Sequence, residues 1–277
     1  MERKCLHVAS ISYTHGELMF RYGMKVCVLQ ADNRPTLDYL LKTQEIIRRF
    51  CSILGYDYLF LPIDNEDTMH PATKKIQVVH DFLQTAQYDV MVFLDSDAWI
   101  QNGYWLHNIL TNLLKSNKHG CFSRDPYAQK NTYINSGSFI LKIDDFTKQM
   151  YSTLLTDLQT DTSYQRVWPY DQHYISNYVF EHKDQFVIFV PDILNTPDGK
   201  VLRHNWWKNE KMYTDLKELN ENLDHGKIDT SVFHEPPCYD HHRFPNTMFP
   251  MWIYLLLMIV TVFVFRKKIW RVLKSRR

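Results

Sequence analysis

Two carboxylates stand one residue apart in Asp95-Ser96-Asp97, directly after the apolar run VMVFL at 90–94. A run that apolar reads as a strand inside a sheet, and ligands of α/β sheets bind beyond the carboxyl ends of such strands. Hard oxygen ligands at i and i+2 suit Mg2+ or Mn2+, ions that proteins commonly share with a substrate's phosphates. Such an ion serves a departing diphosphate as Lewis acid and template. A bare D-x-D also occurs in solvated loops. Here the strand before it and Ala98-Trp99-Ile100 after it favour the metal reading.

Three further groups carry chemistry. Asn135-Ser136-Gly137-Ser138-Phe139 precedes the strand-like FILKI. Its Asn and Ser side chains can hydrogen-bond sugar hydroxyls, and Gly137 would let the backbone approach a ligand; a plain turn reads equally well. Pro169-Tyr170-Asp171-Gln172 opens the helix-like HYISNYVF. Asp171 either caps that helix or faces a sugar's reacting carbon, with Gln172 on a hydroxyl. Finally, Val201-Leu202-Arg203-His204 is followed by Lys208. The imidazole can complete a metal sphere begun by two carboxylates, and the ammonium can bind a diphosphate. His234 is the rival third ligand.

Positioning these groups takes an alternation of strands and helices. Strands are expected over residues 25–30, 58–62, 90–94, 138–143 and 186–190. Helices are expected over 36–54, stopped by Gly55, and over 75–85 and 106–115. The alternation predicts an α/β domain over 1–243, Rossmann-like, with a mostly parallel open sheet and helices on both faces.

Composition sets the outer bounds. The 277 residues, 45% hydrophobic, suffice for one large α/β domain or two small ones. With 32 basic and 31 acidic residues, nothing suggests the basic face of a nucleic-acid binder. Five cysteines without a CxxC pair argue against structural zinc and against a disulfide framework. No N-x-[ST] sequon occurs. Residues 244–265 carry no charge, and 248–265 are expected to form a single transmembrane helix closed by a basic tail at 266–277. The N-terminal stretch has no apolar run of the signal-peptide kind. Together these features predict a C-terminally tethered membrane protein with a cytosolic catalytic domain. The basic tail favours the opposite sidedness, an endomembrane lumen.

Taken in order, these residues resemble a GT-A glycosyltransferase, more narrowly glycosyltransferase family 34, the galactosyl-, mannosyl- and xylosyltransferases. The likeness runs from Val26 to Lys208. It rests on VLQAD ending in Asp32, Gly55-Tyr56-Asp57-Tyr58, His70-Pro71 with Lys75, Asp95-Ser96-Asp97, Asn135 to Phe139, Asp171-Gln172, Val190-Pro191 with Asn195, and His204. The resemblance implies a retaining transfer from a nucleotide sugar, with a UDP-hexose or UDP-pentose as donor and a glycan or glycoprotein as acceptor. It implies Mn2+ or Mg2+ on Asp95, Asp97 and His204. Lys75 and Lys208 would face the donor, with Asp32, Ser96 and Gly137 completing its site, and Asn135, Asp171 and Gln172 would line the reaction centre. Lys74 is the alternative to Lys75. Asn205-Trp206-Trp207 replaces the family's small residues after the metal histidine. Two other functions compete: a glycoside hydrolase pairing Asp97 with Asp171, and a membrane-tethered binding protein without turnover.

Overall fold

The computed structural model describes residues 23–64, 69–127 and 133–224. These residues fall within one compact unit of the chain. Three strands build the half of the sheet that carries the D-x-D motif: β1 (Val26–Asp32), β2 (Asp57–Pro62) and β3 (Val90–Leu94). β1 pairs in parallel with both of the others. The sheet continues through β5 (Gly120–Arg124), β6 (Ile134–Lys142) and β7 (Phe186–Phe189), in the order β2-β1-β3-β6-β5-β7. β6 runs against β3 and β5, while β7 runs parallel to β5. The sheet is therefore mostly parallel, as expected, with one reversed strand inside it.

Side chains that alternate along a strand face opposite sides of a sheet. In β1, Val26 and Val28 enter one core while Cys27, Leu29 and Ala31 enter the other. β3 divides in the same way, with Val90, Val92 and Leu94 on one side and Met91 and Phe93 on the other. Both faces must then be covered by helices. The first is packed by α1 (Asp38–Leu54), α3 (Gly103–Lys115) and α7 (Glu210–Asp224), and the second by α2 (Pro71–Thr85), α4 (Asp145–Thr160) and α5 (Asp171–Glu181). Between β7 and α7 lies a single turn of helix, α6 (Pro191–Leu194).

Local chemistry fixes the helix ends. α1 stops at Gly55, whose φ of 69° is left-handed and costs a glycine nothing. α2 begins at Pro71, with the His70 ring accepting from the Ala72 N–H. α4 opens on a reciprocal cap between Asp144 and Thr147.

A second, two-stranded sheet joins β4 (Ala98–Ile100) to β8 (Leu202–His204), antiparallel, with Ala98 opposite His204. This ribbon carries the chain after residue 200 back to the D-x-D motif. Among the described residues no helix is long and apolar enough to cross a membrane. The apolar run 248–265, the basic tail 266–277 and His234 lie outside the described residues. Among the described residues, Cys27, Cys51 and Cys121 are buried and joined by no disulfide.

Phe93 is fully buried, stacked on Phe139 at 4.9 Å, with the Lys75 ammonium 5.5 Å from its ring. Phe93→Ala should cost about 3–5 kcal/mol, the usual loss for truncating a buried phenylalanine. Urea unfolding should show this as a lower midpoint at unchanged slope.

Candidate active site

The carboxyl edge of the parallel strands gathers the predicted groups. Leu94 at the end of β3 lies opposite Ser138 of the reversed β6. The start of β6, with Asn135 and Gly137, therefore reaches the edge where Asp95 begins. β1 ends there too, at Asp32. The backbone of Asp95 is held on both sides: its N–H donates to the Gly137 carbonyl at 2.7 Å, and its carbonyl accepts from Gln30 Nε2 at 3.0 Å. Gln30 is in turn fixed by the Tyr58 hydroxyl, which donates to its Oε1 at 2.9 Å. The Ser96 carbonyl accepts from the Thr43 hydroxyl of α1 at 2.9 Å. A short loop braced this way presents its two carboxylates in a set geometry.

Asp95, Asp97 and His204 bring one ligand atom each to within 4.8 Å of one another. His204 Nε2 lies 3.2 Å from Asp97 Oδ1 and 3.8 Å from Asp95 Oδ2. Its other nitrogen, Nδ1, is 3.1 Å from Asn135 Oδ1, which also accepts the Gly137 N–H at 2.9 Å. An amide oxygen can only accept, so the network assigns the proton to Nδ1. Loss of a proton from Nε2 on metal binding would then turn its lone pair toward the two carboxylates, the arrangement of a metal-ligating histidine with an oriented outer partner. Two carboxylate oxygens and one imidazole fit a divalent cation.

Two lysines complete the cluster. Lys75 Nζ lies 2.8 Å from Asp95 Oδ1 and 3.2 Å from Asp171 Oδ2, and Lys208 Nζ pairs with Asp97 Oδ2. Burial works against the Lys75 charge, but Asp171 and Asp95 outweigh it and hold the ammonium above the ordinary lysine range. Burial likewise opposes the Asp97 charge, yet His204 and Lys208 prevail and hold its carboxyl well below the usual range. At Asp171 burial wins: with Asp95 adding to the rise and Lys75 opposing it, the carboxyl is pushed up to about 6. Asp32 sits against Arg34, whose Nε is 3.0 Å from Oδ1. Burial raises the Asp32 carboxyl, but hydrogen bonds from Arg34 and Ser96 bring it below its ordinary value.

Among the described residues, only Tyr170 (φ 57°) and Lys208 (φ 50°) adopt positive φ without being glycine, and both belong to this site. Tyr170, rather than Asp171, is the cap residue of α5, and it makes no side-chain cap bond. Asp171 is the first helical residue and is buried facing Lys75. Strain held at such positions clusters at working sites.

Several expectations change. Asn135 to Phe139 is not a turn before a strand but part of β6 itself. Gly137 makes room for a side chain rather than for a ligand: a Cβ there would stand 2.0 Å from His204 Cε1. Asn135 touches His204 and Gly137, so it is a positioning residue. Lys74 donates to the Asp64 carbonyl at 2.9 Å, leaving Lys75 as the lysine inside the cluster. Asp125 had no motif to announce it. Its Oδ2 accepts from Gln172 Nε2 at 2.9 Å and lies 3.5 Å from Asn135 Nδ2, which joins the Gln172 side to the histidine side. Asn195, buried, braces β6 through the Ser138 and Asn135 carbonyls.

No family model and no curated protein matches the sequence. Among solved structures, a glycosyltransferase involved in the glycosylation of the major capsid of PBCV-1 is similar with a TM-score of 0.55, over 71% of this chain and 99% of its own, at 16% identity. The fold is that of GT-A glycosyltransferases. The glycosyltransferase GlyE of Streptococcus pneumoniae TIGR4 has a TM-score of 0.47 at 12% identity, over 76% of this chain and 66% of its own. The galactosyltransferase LgtC, solved with donor and acceptor sugar analogues, has a TM-score of 0.45 at 14% identity, over 76% and 98%.

Two outcomes follow from the GT-A edge. Gly137→Ala should displace the His204 ring and weaken Mn2+ binding about ten- to a hundredfold, as other losses of outer support do, with the far-ultraviolet dichroism unchanged. Titration calorimetry checks it. The Asp171 carboxyl binds its proton more tightly folded than unfolded, so its contribution to stability is complete below about pH 4 and lost as the pH rises through about 6. The difference in unfolding free energy between the wild type and Asp171→Asn should therefore change by on the order of 2–3 kcal/mol across that window, the wild type losing ground at the higher pH.

Proposed function

We propose that this protein is a metal-dependent glycosyltransferase that moves a hexose or pentose from a UDP-sugar to a glycan acceptor with retention at the anomeric carbon. The observation that carries the reading is the Asp95, Asp97 and His204 cluster at the carboxyl edge of a GT-A sheet, with Lys75 and Lys208 each paired to one of its carboxylates.

Charge explains the need for an ion. Asp95, Asp97 and Asp171, when ionised, outnumber Lys75 and Lys208 by one, so the pocket alone repels a diphosphate. A divalent cation held by Asp95, Asp97 and His204 would reverse that sign and would supply Lewis-acid stabilisation to the leaving diphosphate. Lys208, half exposed on its turn, then has the diphosphate as an alternative partner to Asp97. Asp32 and Ser96 bound the donor end of the same edge. Beyond it, Asp171, Gln172 and Asp125 face the transferred sugar. The bond between the anomeric carbon and the diphosphate oxygen breaks with its electron pair on the diphosphate. The acceptor oxygen bonds to that carbon, and its proton passes to the departing diphosphate. Positioning and charge stabilisation account for most of the rate.

A hydrolase pairing Asp97 with Asp171 is disfavoured because both carboxylates are engaged by lysines, Asp97 by Lys208 and Asp171 by the Lys75 that it shares with Asp95. The run 248–265 supports a membrane tether as part of the proposal. Deleting 247–277 should release a folded domain from the membrane pellet, and a truncated chain that still sediments with membranes would remove the tether.

A panel of nucleotide sugars, with Mn2+ or EDTA, tests the function by release of nucleoside diphosphate. One UDP-sugar should be turned over, the turnover should vanish with EDTA, and Asp97→Asn should lose at least about a hundredfold in kcat, as removal of a principal charge-stabilising group does. Full activity of Asp97→Asn with added Mn2+ would falsify the metal assignment.

A further inference from the structure

Two residues beyond the histidine of the cluster, the chain places Trp206 and then Trp207. The Trp206 ring stands edge-on to His204, with centroids 5.2 Å apart and planes at 84°. Tyr127 meets Trp206 edge-on at 5.7 Å, and Trp207 meets it at 6.1 Å and 73°. Tyr127 also belongs to the other side of the site, since its N–H donates at 2.8 Å to Oδ1 of Asp125, whose Oδ2 holds Gln172. One aromatic group thus borders both the metal cluster and the Asp125–Gln172 pair.

This group is open to solvent. Tyr127 is 66% and Trp207 58% exposed, while Trp206 is half-buried between them. Large aromatic rings in mutual contact and left in water mark a binding surface more often than a resting one. Their chemistry selects the occupant. A pyranose has faces of C–H groups and an equator of hydroxyls. Its faces pack on aromatic rings, while its hydroxyls need the polar partners that line the adjoining edge. A bare serine or threonine of a polypeptide offers no such face.

We propose that Tyr127, Trp206 and Trp207 form the acceptor platform, and that the acceptor is a pyranose of a glycan, bound by its ring face. The proposal deepens the transfer reading and rests on it for the word acceptor. The binding it asserts can be measured without turnover.

The full chain is mixed with methyl glycosides of common hexoses, and saturation-transfer NMR reads which sugar protons lie against the protein. In parallel, kinetics with the UDP-sugar that is turned over give separate KM values for donor and acceptor. Ring-face C–H protons of at least one glycoside should saturate, and Tyr127→Ala or Trp206→Ala should abolish this. Both variants should raise the acceptor KM about tenfold, the scale of one or two aromatic contacts, with Trp206→Phe and Tyr127→Phe restoring it. The donor KM should move less than about twofold, since a change smaller than that is under half a kcal/mol. If no glycoside saturates, or if the alanine variants bind and transfer as the wild type does, the platform is wrong. If Tyr127→Ala raises the donor KM as much as the acceptor KM, the aromatic group serves the metal site and the platform is again wrong. Saturation that is lost in the alanine variants, in a protein that turns over no donor, would keep the platform and remove the transfer reading.

Discussion

Three carboxylates are held largely out of water at one edge of a sheet, and among the described residues two lysines and one imidazole face them. Buried charge of this kind is costly unless paired, and removing one partner leaves the other stranded. The rest of the architecture can be understood from that constraint. β3 must end just before Asp95 and β6 must run backwards, so that Asn135 and Gly137 meet the D-x-D loop. The β4–β8 ribbon must return the chain so that His204 and Lys208 arrive opposite Asp97. α2 and α5 must place Lys75 and Asp171 face to face. When all three carboxylates are ionised they outnumber the two lysines by one, an excess that a bound divalent cation would convert to an attraction for a diphosphate.

Much of this was legible in the sequence because the strongest signals are local. An all-apolar strand followed by two acids needs no tertiary information, and β3 runs over the expected residues. The spacing of Ile46, Ile47 and Phe50 before Gly55 likewise names a helix and its end. The groups brought together at the edge are those the ordered motifs singled out, with Lys75 and not Lys74 inside.

What stayed hidden depends on distant partners. β5 reads GCFSR, too polar for a buried strand until the Ser123 hydroxyl is seen donating to the Val190 carbonyl. The start of β6 has the composition of a turn, yet Ser138 is tied to the Leu194 carbonyl and to Asn195, so its polarity is satisfied inside the sheet. β8 is three residues long and shows no period to read. Asp125 is a lone acid whose role is set by Gln172, 47 positions away. Two further signals are local and readable. The Asp144–Thr147 cap opens α4, and Met212, Leu216, Leu219 and Leu223 repeat along one face of α7.

If the cluster is a cation site, it becomes attractive to diphosphate only when filled. Mn2+ titration of the full chain, followed by electron paramagnetic resonance with and without UDP, addresses this directly. The charge balance predicts weak binding of Mn2+ alone and binding at least about tenfold tighter with UDP present, a coupling of roughly 1.4 kcal/mol. Mn2+ binding of equal strength with and without UDP, or UDP binding undiminished by EDTA, would contradict it.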